Sequence, residues 1–188
     1  MTKTNNYEKS MVIINSKFQV KGVKTFVGRE GYGVNANLYY EGKKVAFLLD
    51  SGNGGCLDVD WENGYTWKDN PIIPLIKTLP KTTYLEKDGR DEYDLGDYEW
   101  NEETICNSLI DEYLAKQDFK KYLKKVSVLT DKYQIASYKA KSSDLDKVFN
   151  FTEGKMTFRE YVRLDKSVKF ILNDMSIEHA FDIYMRNR

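Results

Sequence analysis

His179 is the only histidine in this chain of 188 residues, and it follows Glu178 on a segment patterned as a helix. Serine or cysteine hydrolysis needs a base within hydrogen-bond reach of the nucleophile, so triad chemistry is disfavoured here. Cys56 and Cys106 stand far apart, with no further cysteine at metal-ligand spacing, which leaves a structural zinc site without a ligand set. Carboxylates are the richer resource. Between residues 86 and 99, Glu86, Asp88, Asp91, Glu92, Asp94, Asp97 and Glu99 outnumber Lys87 and Arg90. Hard cations take oxygen ligands, and two-metal nucleases use carboxylate pairs, so Mg²⁺ is one use for them. Asp88-Gly89-Arg90-Asp91-Glu92 nevertheless lacks the alternating ligands and closing glutamate of a calcium loop. Blocks of like charge stay in water, so the run reads first as a solvated acidic loop. Its next reading is a docking surface for a basic partner, presented by Asp88, Asp91, Glu92 and Asp94. The sequence assigns no metal site and calls for no cofactor. Lysine and tyrosine can support metal-independent RNA cleavage, but with 14 tyrosines and many lysines neither type singles out a position.

Two glycine-rich runs invite a phosphate-loop reading, Gly28-Arg29-Glu30-Gly31-Tyr32-Gly33 and Ser51-Gly52-Asn53-Gly54-Gly55. Neither matches a Walker motif or joins a strand to a helix as a dinucleotide fingerprint does. Turns within a β-meander explain both. Lys21, Lys24, Lys43 and Lys44 near Tyr39 and Tyr40 have the composition of a single-strand nucleic-acid edge, but lysines also guard sheet edges against aggregation, and that second role is preferred.

The elements that position these residues follow from periodicity. Residues 11–61 favour strands, with MVIINSKFQV, VKTFV, GVNANLYY, KKVAFLLD and CLDVDW separated by glycines. In GVNANLYY, Val34, Ala36 and Leu38 alternate with Asn35, Asn37 and Tyr39, so one face is apolar and the other offers amides and a phenol. The same alternation places Val45, Phe47 and Leu49 on the apolar side of the next strand. Tyr40-Glu41-Gly42-Lys43 is short enough for a tight hairpin between the two. The prolines Pro71, Pro74 and Pro80 bracket a short helix opened by Pro71. After the acidic run, Asn101 is the expected N-cap of a helix with Glu102 and Glu103 in its first turn and Ile105, Leu109 and Tyr113 on its buried stripe. Beyond it VSVLT and YQIASYKA form a second hairpin, Ser143-Asp144 opens a helix over LDKVF, and Thr157 caps FREYVRL. VKFIL is a buried strand, and Ser176 caps a last helix whose inner face is Ile177, Phe181, Tyr184 and Met185.

The expected class is α+β, with an N-terminal antiparallel β-meander, a central helical region and a C-terminal ββααβα segment. Its regions are 11–68 (β-rich), 69–125 (proline and acidic loop, then helix) and 126–188 (α+β). With 41% hydrophobic residues the chain can bury a core without disulfides. Its 29 basic and 29 acidic residues balance, which argues against a nucleic-acid coat protein. Mean hydropathy is −0.62, and no stretch approaches the ~20 apolar residues that span a bilayer. Met1 to Ser10 has no apolar leader and cysteine usage is low, so the cytoplasm is the expected compartment.

The run Phe26-x-Gly28-Arg29-Glu30-Gly31-Tyr32-Gly33-x-Asn35-Ala36-Asn37-Leu38-Tyr39, followed by Gly42-Lys43-Lys44-Val45-Ala46, Asp50 and Gly52-Asn53-Gly54-Gly55, resembles short proteins of bacteriophages and mobile elements. In size and in lysine and tyrosine content the chain is similar to inhibitors of type II CRISPR-Cas9. The resemblance covers about the first third of the chain and carries no catalytic residue. It implies an anti-defence binding protein of the host bacterial cytoplasm whose partner is a nucleoprotein such as Cas9 or its guide RNA. Asp88, Asp91, Glu92 and Asp94 would then meet a basic groove, and Arg29, Glu30, Tyr32, Asn35 and Asn37 would supply specificity. The rival readings are a guide-trimming RNA nuclease and an unrelated phage accessory protein.

Overall fold

The computed structural model describes residues 6–80, 82–88 and 91–187, with the backbone alone for 6–8 and 82–98. The fold is mixed α+β and opens on an N-terminal antiparallel meander. Two compact units divide the chain, Met1–Tyr113 and Leu114–Arg188. The overall neutrality conceals a partition between them. The first unit holds 13 basic and 19 acidic residues and the second 16 basic and 10 acidic, so net charges of −6 and +6 cancel.

In the first unit, α1 (Asn6–Lys17) leads directly into β1 (Phe18–Val27). The expected strand MVIINSKFQV is therefore helix as far as Lys17 and strand only from Phe18. Ser10, Met11 and Ile14 are its buried positions among the described residues, spaced by three and four, while Val12 between them is exposed. That is helical spacing rather than strand alternation. Its Asn15 amide donates to Glu112 at 2.7 Å, fixing the helix to α3 (Glu102–Leu123). β1, β2 (Tyr32–Tyr40), β3 (Lys43–Asp50) and β4 (Asp58–Trp61) pair in sequence order as one antiparallel sheet. Glu41 and Gly42 both take positive φ, giving the tight β2–β3 turn. Asn70 is buried and joins the elements that follow. Its Oδ1 accepts the N–H of Ile72 at 3.0 Å, opening α2 (Ile72–Ile76), while its Nδ2 donates to Glu102 at 3.1 Å. The acidic run forms a hairpin rather than a loop. β5 (Thr82–Asp88) and β6 (Asp91–Tyr98) pair antiparallel with Asp88 opposite Asp91. Thr82, Thr83, Tyr84 and Leu85 supply the β propensity that the charge count obscures. Asn101 caps α3 as expected, accepting the Thr104 N–H at 2.8 Å.

The second unit is built around β7 (Lys125–Thr130), the middle strand of a sheet ordered β11-β7-β8, with β8 at Ile135–Lys141 and β11 at Val168–Ile171. β7 is buried on both faces. On one, Leu129 joins Phe119, Leu172, Ala180 and Tyr184; on the other, Val126 and Val128 join Leu145, Val162 and Ile171. Leu145–Phe149 does not form the expected helix. A 3-10 turn at Ser142–Asp144 runs into β9 (Val148–Phe151), which pairs with β10 (Gly154–Thr157). Alternating Phe149 and Phe151, with Val148, favour a strand despite the capping residues before them. Phe151 stacks on Tyr161 of α4 (Phe158–Leu164) at 4.1 Å. Thr157 caps α4 reciprocally with Glu160, and Ser176 caps α5 (Ile177–Arg186). The inner face of α5 differs from expectation. Ala180 and Tyr184 are buried, whereas Ile177 is 63% and Met185 39% exposed. The ring of Tyr184 sets this rotation by packing 5.1 Å from Phe119.

Candidate interaction face

The four-stranded sheet has one face buried and one open. Ala36, Leu38, Ala46 and Leu48 are fully buried on the inner face. A β-bulge decides which residues these are. Leu38 pairs with Ala46 and Tyr39 with Lys44, so Val45 is an extra residue and the alternation shifts by one. The expected inner positions Phe47 and Leu49 consequently lie on the open face, half-buried, and Leu48 takes the core position.

Register turns the open face into a set of cross-strand rows. Lys21, Asn37, Phe47 and Asp60 are successive partners across all four strands, and Lys24, Asn35, Leu49 and Asp58 form the next row. A second bulge contributes, because Gly22 at φ +64° and Val23 oppose no pair of their own and thereby bring Lys21 and Lys24 to one face. Each row runs from cation through amide and apolar side chain to carboxylate. Lys21 lies 4.4 Å above the ring of Tyr39, at the end of the same face. Lys44 is taken up by Glu62 at 2.5 Å, which removes it from the expected basic edge.

At one end of the sheet the two glycine runs interlock. Gly28 N–H donates to Gly31 O at 2.7 Å, Glu30 N–H to Gly52 O at 2.9 Å, and Arg29 N–H to Asn53 Oδ1 at 3.1 Å. Gly52, at φ +68°, approaches so closely that a Cβ on Gly28 would stand 2.6 Å from its carbonyl oxygen. The runs are turns, as expected, and each is the seat of the other. Arg29, Glu30 and Tyr32 are exposed on this tip, while Asn35 and Asn37 lie in the middle of the open face. Asn35 and Asn37 thus share the open face, whereas Arg29 and Glu30 sit in the β1–β2 turn and Tyr32, in step with Val34 and Ala36, takes the opposite side of β2. Asp88, Asp91, Glu92 and Asp94 lie on β5 and β6, where the pairings are Lys87 with Glu92 and Leu85 with Asp94. Their side chains, and Gly89 and Arg90, fall outside the described residues. Sequence periodicity missed Phe47, Leu49, Asp58 and Asp60 as face residues. In the apolar run Val45–Leu49 nothing marks a bulge, although the exposed alternation of Asp58 and Asp60 is a readable signal.

Groups suited to chemistry are dispersed. Cys106 is buried, and desolvation with the nearby Glu102 charge pushes its thiol well above the usual range. Glu102 is itself raised by burial, against hydrogen bonds from Trp61 Nε1 and Asn70. His179 is exposed in the first turn of α5, its N–H donating to Ser176 Oγ. No group of three or more potential metal ligands occurs among the described residues, and no helix among them is long and apolar enough to cross a membrane. Compared with protein-family models, curated proteins and solved structures, the chain matches none.

Proposed function

We propose that this protein acts by binding, as a phage-encoded inhibitor of a host CRISPR-Cas9 nucleoprotein, and that the open face of the β1–β4 sheet is its specificity surface. The observation carrying the reading is the pair of rows Lys21-Asn37-Phe47-Asp60 and Lys24-Asn35-Leu49-Asp58. Apolar side chains in the middle with opposite charges at the two ends match the anatomy of a protein-binding patch, a desolvated centre inside a polar rim. The carboxylates of Asp58 and Asp60 disfavour a phosphate backbone along the whole face. The acidic hairpin supports the same partner. Negative charge on β5 and β6 steers approach to a basic channel, an attraction that salt weakens.

Target-DNA cleavage by a panel of bacterial Cas9-guide complexes tests the proposal. Wild-type protein should abolish cleavage by at least one effector and leave the guide intact on a gel. Phe47→Ala should weaken inhibition about tenfold or more, the cost of a central anchor. Reversing Asp91, Glu92 and Asp94 to lysine should slow association. Shortened guide would transfer the protein to the nuclease class, and full cleavage by every effector would overturn the inhibitor reading.

A further inference from the structure

The second unit's charge is concentrated where α3 ends, β7 begins and β8 ends. Lys120, Lys121, Lys124 and Lys125 follow one another through this junction, and Lys139 and Lys141 return to it on β8; all six are exposed. Hydrogen bonds to the backbone carbonyls of the junction tie these segments together. Ser142 N–H donates to Lys124 O at 3.0 Å, and Asn173 Nδ2 donates to Leu123 O and Lys125 O, each at 3.0 Å. The nearby carboxylates are already committed. Asp118 pairs with Lys121 at 2.8 Å, and Asp144 pairs with Lys147 at 2.6 Å while accepting the Lys141 backbone N–H at 3.3 Å.

Lysines on the last turn of α3 are accounted for by the negative end of the helix dipole. Lys125 and Lys141 are not. They are direct cross-strand partners, two like charges in one register position, an arrangement that costs stability. Neither forms a side-chain ion pair with a carboxylate among the described residues. An external anion would relieve the repulsion. Lys139 stands two residues before Lys141, in the irregular stretch of β8 between the Ser137 and Lys141 pairings, and adds a further exposed cation beside the pair. Tyr122, in the same last turn, packs its ring 5.5 Å from that of Tyr184 and stays 38% exposed, open to stacking by a base.

We infer that Lys124, Lys125, Lys139 and Lys141 form a phosphate-binding corner for single-stranded RNA, read without regard to sequence. A single strand can bend around the junction and present its bases to Tyr122, which a rigid duplex cannot. The site belongs to the second unit and the open sheet face to the first, and its ligand is bound whether or not Cas9 is the partner.

The test is fluorescence anisotropy of a labelled oligouridine with the full chain, without any Cas9. Three to four phosphate contacts predict that affinity falls about 20- to 50-fold between 50 and 200 mM salt. The pair Lys125→Gln, Lys141→Gln should weaken binding about tenfold or more at low salt and make the logarithmic salt slope shallower by about 1.4. Lys43→Gln with Lys77→Gln, in the first unit, should change nothing. The Lys125, Lys141 variant should melt at the same or a higher temperature, since it removes a repulsion; a lower one would make the pair structural and overturn the inference. Absence of saturable binding, a salt slope unmoved by the double substitution, or tighter binding of a duplex of equal length would also overturn it. None of these results bears on Cas9 inhibition, which is read separately.

Discussion

The ring of Phe26 covers the α-carbon of Gly33, its partner across β1 and β2, leaving no space for a side chain there. A Cβ on Gly33 would stand 2.6 Å from Phe26 Cζ and 2.6 Å from the carbonyl oxygen of Asp50. Gly33 thus lets an aromatic ring close over the strand just where the two glycine runs meet.

Glycine substitutions should separate sharply over a few residues. Gly28→Ala places a Cβ 2.6 Å from the carbonyl oxygens of both Ser51 and Gly52. Neither is a flexible side chain, so the backbone must shift, and a loss of about 2 kcal/mol is expected from overpacking. Gly31→Ala meets nothing within 4 Å, and its effect should stay within about 0.5 kcal/mol. Urea midpoints of the two variants check the contrast.

Leu48 and Phe47 are neighbours with opposite duties. Leu48→Ala empties a fully buried site and should cost about 2–5 kcal/mol. Phe47→Ala, on the open half-buried face, should lower the melting temperature far less while weakening partner binding. Equal destabilisation by both would contradict the bulge at Val45.

The cap of α4 should respond to acid. Glu160 Oε2 accepts the Thr157 backbone N–H at 2.7 Å and the Thr157 hydroxyl at 2.8 Å, and these bonds hold its carboxyl below the ordinary glutamate range. A carboxyl depressed by folding contributes stability above its unfolded pKa and loses it as pH falls through the folded one. Below the ordinary value of 4.5, wild type should therefore lose stability faster than Glu160→Gln. Thr157→Ala should cost about 1 kcal/mol at neutral pH. Denaturation series across the acid range read both.

The two thiols should react in sequence. Cys56 is exposed and Cys106 is buried with its thiolate disfavoured. A disulfide-exchange reagent should titrate one equivalent at once in native protein and the second only in denaturant. Prompt reaction of both would show the core around Ile105 and Leu109 to be open.

Caps and turns were legible in the sequence because their chemistry is local. Asn101, Thr157 and Ser176 each present an oxygen to an N–H within the next turn, and Glu41-Gly42 satisfies a two-residue hairpin. What stayed hidden depends on distant partners. Met11 and Ile14 have helical spacing within a β-branched run, and the packing of α1 decides between the two readings. Val45 becomes a bulge only because β2 and β3 pair in a register that the uniform apolar run does not announce, and the open face inverts with it. The acidic count in residues 86–99 masked the strand propensity beneath it. Ala180 replaces Ile177 on the buried face of α5 through the placement of Phe119, far away in the chain.

The interlocked tip also has a consequence in time. Loop amides ordinarily exchange their protons with solvent quickly, because little holds them closed. Here the N–H groups of Gly28, Arg29 and Glu30 each have a partner, and two of those partners lie across the gap at Gly52 and Asn53. Releasing either of those two requires the β1–β2 and β3–β4 connections to part. In deuterium exchange the segment richest in glycine should keep its protons longer than a loop that opens freely, so composition and clock speed run opposite ways.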